Sequence, residues 1–193
     1  MGTTNNIIVE GSLQHKFSIM VWGHCGQVLC IAPHPNDTVT FATGGASDRT
    51  VAKWRKQRVA WKLQLQSAVC SMAWHPNGRV VVAGTEEGNL VALNGESGKI
   101  SVGISQEEMS ICQLGSHQSR IRVCGSPITA LGFADDGKTV AAAAENGNLY
   151  IFTSTSDGRS YKKVSKMGGG SELAHLDWNK TGDIIQTVSV DYR

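Results

Sequence analysis

The sequence predicts an all-β chain, a β-propeller segment of about three to four blades belonging to a larger propeller, and three observations predict it. The first is a recurring phrase in which an apolar strand runs into a polar turn: Ile31-Ala32-Pro33-His34-Pro35-Asn36, Met72-Ala73-Trp74-His75-Pro76-Asn77-Gly78, Leu131-Gly132-Phe133-Ala134-Asp135-Asp136-Gly137 and Leu176-Asp177-Trp178-Asn179-Lys180-Thr181-Gly182. The turns fall near 36, 77, 136 and 181, at intervals of 41, 59 and 45 residues. A blade repeats every 40 to 45 residues or so, and the long interval reads as one period plus an insertion, placed at 105–124. The second observation is a set of short apolar runs on either side of each turn. The third is Gly and Asn-Gly punctuation between those runs, a strong hairpin signal. All of residues 1–193 are read as one propeller segment.

Taken in order, Asn6-Ile7-Ile8-Val9-Glu10 is expected to be the last strand of a preceding blade. Val28-Leu29-Cys30-Ile31 and Ser71-Met72-Ala73-Trp74 are innermost strands. Val39 to Thr43 and Val80-Val81-Val82-Ala83 follow the turns and are apolar at nearly every position, the mark of strands buried on both faces. Tight reversals are expected at Gly44-Gly45, Gly84 and Gly147, because glycine enters left-handed backbone regions without steric cost. Third strands run from Thr50 to Trp54, Leu90 to Leu93 and Leu149 to Phe152. The span 105–124 is expected to be a surface loop.

Composition narrows the function. A net charge of +2 over 193 residues with 18% charged residues gives no footprint for nucleic acid. The five cysteines, Cys25, Cys30, Cys70, Cys112 and Cys124, form no Cys-x-x-Cys pair, which argues against a disulfide framework or a zinc ribbon and for a reducing setting. Cys112, His117 and Cys124 have no standard zinc spacing, so neither metal nor cofactor is expected. With no signal-peptide pattern and no apolar run of spanning length, the expectation is a soluble chain of the cytoplasm with no membrane contact.

Gly23-His24, Thr43, Asp48 and Trp54 reproduce in order the Gly-His, hydroxyl, Asp and Trp of a Trp-Asp repeat. In that arrangement the imidazole, carboxylate, hydroxyl and indole N–H form a buried hydrogen-bonded tetrad, sparing each group an unpaired cost of about 1–3 kcal/mol. A nucleophile triad of His24 and Asp48 with Ser47 or Thr43 is the competing reading, but no nucleophile elbow accompanies it, and no enzyme is expected. Trp54 has counterparts only in Leu93 and Phe152, so most blades are expected to be held by apolar packing alone.

Four segments resemble the echinoderm microtubule-associated protein-like family. They are Gly23 to Pro35, His75 to Gly88, Ser156-Asp157-Gly158-Arg159-Ser160-Tyr161-Lys162-Lys163-Val164, and His175-Leu176-Asp177-Trp178 with the later Ser189-Val190-Asp191-Tyr192. The Gly-Arg-x-Tyr and His-Leu-Asp-Trp pieces are far more specific than the generic repeat. The resemblance implies a non-enzymatic module of the cytoskeleton that binds tubulin or microtubules and influences microtubule dynamics, with further blades of the same or another chain as neighbours. It raises two basic clusters to candidate contacts for an acidic partner: Arg55, Lys56 and Arg58, flanked by Lys53 and Lys62, and Arg159, Lys162 and Lys163, followed by Lys166. Charged outer edges that merely deter aggregation are the plainer reading of the same residues. A Trp-Asp repeat adaptor for another complex, such as a ubiquitin ligase or a ciliary assembly, is the alternative function.

Overall fold

The computed structural model describes residues 7–12, 15–56, 58–100, 120–154, 158, 160–168 and 170–191. Every regular element among them is a strand, and every pairing is antiparallel. Two strands, β1 (Ile7–Ser12) and β2 (His15–Trp22), form a hairpin sheet. The first four-stranded blade is β3 (Val28–Pro33), β4 (Thr40–Gly45), β5 (Thr50–Arg55) and β6 (Arg58–Gln64). The second is β7 (Val69–Trp74), β8 (Val80–Thr85), β9 (Asn89–Asn94) and β10 (Arg120–Arg122). The third is β11 (Ile128–Phe133), β12 (Thr139–Ala144), β13 (Asn148–Ser154) and β14 (Tyr161–Gly168). A final pair, β15 (Leu173–Trp178) and β16 (Ile185–Ser189), follows.

The core lies between blades, and strand periodicity builds it. Val81 and Ala83 of β8 face the first blade, joining Ala32, Ala42, Val51, Val69 and Leu93, whereas Val80 and Val82 face the third, joining Leu90, Ile128, Val140 and Phe152. Alternate side chains point to opposite faces, so one strand serves two interfaces and all six of its residues are buried. β12 repeats the device with alanines: Val140, Ala142 and Ala144 face the second blade, and Ala141 and Ala143 meet Leu149 and Leu176.

Polar latches cross each interface. The Trp74 indole donates to Ala32 O at 3.1 Å and the Trp178 indole to Gly132 O at 2.9 Å, each reaching back one blade. His34 and His75 reach forward: their Nε2 donates at 3.0 Å to Gly78 O and Gly137 O, while their Nδ1 accepts the amides of Asn36 and Asn77. Each ring is thereby held as the Nε2-protonated tautomer. The turn that receives the second latch needs glycine, since Gly137 has φ +68° and a Cβ there would come within 2.7 Å of the His75 ring. A third recurring contact runs from the inner strand to the first carbonyl of the next one: Cys30 Sγ to Val69 O (3.9 Å), Ser71 Oγ to Ile128 O (2.6 Å), and Thr129 Oγ1 to Leu173 O.

Two expectations are corrected. Gly44, Gly45 and Gly84 do not turn the chain; they are the last residues of β4 and the penultimate residue of β8. Their lack of a side chain serves close approach. A Cβ on Gly44 would lie 2.5 Å from Val69 Cγ1, one on Gly84 would lie 2.7 Å from Ile128 Cγ2, and one on Gly45 would strike the Asp48 carboxylate. Of the predicted reversals only Gly147, with φ +74°, is a left-handed turn. The span 105–124 does not end as a loop: Arg120–Arg122 pairs with β9 as the outer strand of the second blade, and Val123 is buried in the core between that blade and the third. Residues 105–119, including Cys112 and His117, lie outside the described residues.

Candidate functional site

The β3–β4–β5 sheet gathers the four residues singled out by the repeat pattern. Trp54 Nε1 donates to Thr43 Oγ1 at 2.8 Å, and Thr43 Oγ1 lies 2.7 Å from His24 Nε2. Because that oxygen already accepts the indole proton, its own hydrogen is free to point at Nε2. His24 Nδ1 then donates to Asp48, 2.9 Å from Oδ2 and 3.2 Å from Oδ1. The chain of donors runs from indole to hydroxyl to imidazole to carboxylate with every group satisfied. Thr50, which the sequence reading passed over, places its hydroxyl 2.8 Å from His24 Nδ1. Its signal was a hydroxyl residue two positions after the repeat Asp.

Asp48 also accepts the Cys25 amide at 3.0 Å and the Thr50 amide at 3.2 Å. Burial pushes its carboxyl up, but the Thr50 hydroxyl, the Cys25 amide and the nearby His24 outweigh burial and hold it below the ordinary carboxylate range. His24 and Thr43 are 5% and 7% exposed, and the Thr43 hydroxyl is spent on both neighbours. Ser47, the other hydroxyl weighed as a nucleophile, is exposed. Beside the tetrad an open recess of about 380 Å³ is lined by Gly23, His24, Gly26, Val28, Phe41, Thr43 and Trp54. Phe41 stacks on Trp54 at 5.9 Å, and the adjoining Val28, Leu29 and Ile31 are exposed.

The candidate partner-binding residues divide between two places. Arg55, Lys56 and Arg58 lie at the exposed β5–β6 turn, where Lys56 adopts φ +47°. Lys162 and Lys163 are exposed on β14 with Lys166, and Arg159 lies outside the described residues. Nearby, Lys53 Nζ and Trp61 Nε1 both donate to Gly95 O, at 2.8 and 3.0 Å. These two tie the first blade to the second. Among the described residues no group of His, Cys, Asp and Glu is arranged to hold a metal, and no helix is long and apolar enough to cross a membrane. Burial pushes the Cys30 thiol up to about 12, so it stays protonated against Val69 O.

The blade sheets, the recurring latches and the tetrad define a Trp-Asp repeat β-propeller segment. A family model described as "WD domain, G-beta repeat" matches residues 11–55 and 111–153, and one described as "Anaphase-promoting complex subunit 4 WD40 domain" matches residues 47–119. The fold is also that of a chain in the crystal structure of the mitotic checkpoint complex, with a TM-score of 0.70 and 18% identity over 94% of this chain and 51% of that one. The family that this chain resembles over its whole length is that of the echinoderm microtubule-associated proteins. It is 29% identical to the 77 kDa echinoderm microtubule-associated protein of Strongylocentrotus purpuratus, and 28% and 27% identical to echinoderm microtubule-associated protein-like 2 and 3 of Homo sapiens. The match takes in all of this chain and spans 26%, 27% and 20% of those proteins' lengths.

Proposed function

We propose that the chain is a non-enzymatic protein-interaction segment of the microtubule cytoskeleton, in the cytoplasm, that binds tubulin or microtubules and influences microtubule dynamics. The observation that carries this reading is similarity along the entire chain to proteins named for microtubule association. It is supported by exposed cations at Arg55, Lys56, Arg58, Lys162 and Lys163, which suit an acidic protein surface. In this reading His24, Thr43, Asp48 and Trp54 are structural, fixing the blade that carries the first cluster.

Co-sedimentation with purified microtubules, and size-exclusion chromatography with free tubulin, test it. The wild-type chain is expected to be captured at low salt, and the variant with Arg55, Lys56, Arg58, Lys162 and Lys163 all changed to Glu is expected to be released while keeping its melting temperature. Wild-type binding to neither form would remove the proposal in favour of an adaptor in another complex, the second reading, which draws on the match over residues 47–119.

A further inference from the structure

The two basic clusters differ in what already holds them. In the first, Arg55 Nε lies 3.8 Å from the Asp37 carboxylate, Lys62 Nζ lies 3.6 Å from Asp48 and Lys53 Nζ is spent on Gly95 O, while Lys56 and Arg58 at the turn meet no carboxylate among the described residues. On β14, by contrast, none of Lys162, Lys163 and Lys166 meets a carboxylate among the described residues. The strand itself, Tyr161–Gly168, carries no acidic residue. Lys163 Nζ sits 4.5 Å and Lys166 Nζ 5.9 Å from the centroid of the same Tyr150 ring. An aromatic face holds an ammonium in place but supplies no counter-charge, so among the described residues two cations are positioned side by side with no carboxylate beside them.

Apolar surface adjoins them. Val164 is 60% and Met167 50% exposed. Among the described residues β14 pairs only with β13, leaving its outer edge open. A bulge falls between Lys163 and Ser165, which pair with Phe152 and Ile151, and Val164 is the extra residue. Bulges turn an edge away from further ladder pairing, so an occupant is read through side chains and does not extend the sheet along its whole length.

We infer that β14 docks an extended acidic polypeptide segment carrying an apolar side chain, its carboxylates on Lys162, Lys163 and Lys166 and its apolar group against Val164 and Met167. This deepens the proposed function and rests on it in taking the partner to be an acidic protein.

The test is fluorescence anisotropy of the full chain with a labelled oligoglutamate peptide of about ten residues bearing a central leucine, at salt low enough that screening is weak. The wild type is expected to bind. K162E/K163E/K166E is expected to lose about tenfold or more, and K99E/K180E, at exposed lysines outside β14 and outside both basic clusters, to stay within about twofold, because only the first removes the cations of the β14 edge. K162Q/K163Q/K166Q, which avoids new repulsion, serves if the glutamate variant melts early, and it is expected to lose affinity in the same direction. M167S is expected to weaken the leucine-bearing peptide and to leave plain oligoglutamate unaffected. No binding by the wild type, binding by both β14 triple variants equal to that of the wild type, or an equal loss in K99E/K180E would overturn the inference. Oligoglutamate binding without capture of tubulin overturns the tubulin reading alone, whereas tubulin capture undiminished in the β14 variants overturns the β14 site alone.

Discussion

At Trp54 the indole is packed on Phe41 and its N–H is committed to Thr43, so the residue contributes both area and a polar anchor. Trp54→Ala is expected to cost about 3–5 kcal/mol. His24→Ala, which strips Asp48 and Thr43 of their shared partner, is expected to cost about 1–3 kcal/mol; chemical denaturation measures both. Asp48 adds a pH dependence of known sign. Its folded pKa lies below its unfolded value of about 3.9, so its contribution is complete above that pH and disappears as pH falls through the lowered folded value. Asp48→Asn is therefore expected to be less stable at neutral pH and to show a shallower loss of melting temperature on acidification. The half-buried Asp37 and the exposed Asp183, also lowered, titrate in both proteins and form a common background. Four of the five residues in this network were legible because each has a fixed place in the repeat. Thr50 was not, because a threonine at the start of a strand is equally well explained by β-propensity.

The strands were legible wherever alternation or a continuous apolar run marked them, as in Val80–Thr85, and their pairing followed from the turns between them. The glycines at strand ends were misread because a turn glycine and a close-approach glycine are written identically; only the neighbouring blade, far along the chain, distinguishes them. Gly84 lies against Ser71 and Ile128, so Gly84→Ala is expected to destabilise by about 1–3 kcal/mol through overpacking, read out in a melt. Gly170, with nothing within 4 Å of its would-be Cβ, is expected to tolerate the same change. The short outer strand Arg120–Arg122 was hidden because alternating arginines carry no apolar signal, and its place is set by pairing to Leu90 and Val91. The pieces that carried the family resemblance prove to be contacts between blades. The Tyr161 hydroxyl donates to Gly158 O, Gly158 sits against His75, and Trp178 donates across to Gly132.

On the scale of the whole molecule, the charge is nearly balanced but unevenly committed, and binding should report that. Screening shortens from about 10 Å at 0.1 M salt to about 3 Å at 1 M, and rim charges act chiefly on association. Under the proposed function, the association rate with tubulin is expected to fall steeply with salt while the dissociation rate changes little, a split that stopped-flow mixing resolves. Equal sensitivity of both rates would point to a buried contact in place of a rim. None of this was legible from the tally of lysines and arginines, because sequence does not say which cation already has a carboxylate, a carbonyl or a ring beside it.

The cross-blade contacts also grade the segment mechanically. Between the first and second blades, His34, Asn36, Lys53, Trp61 and Trp74 all bond across to a backbone carbonyl, and Cys30 adds a weaker contact. His75 and Ser71 bridge the next joint, and Thr129 and Trp178 the last. Phe133 and Ala134 stand where the missing tryptophan and histidine would be. Among the described residues the first joint is therefore the stiffest and the two beyond it are softer, so a load drawn along the row of blades is expected to part the segment on the β15–β16 side of the second blade and to keep the tetrad-bearing blade docked longest.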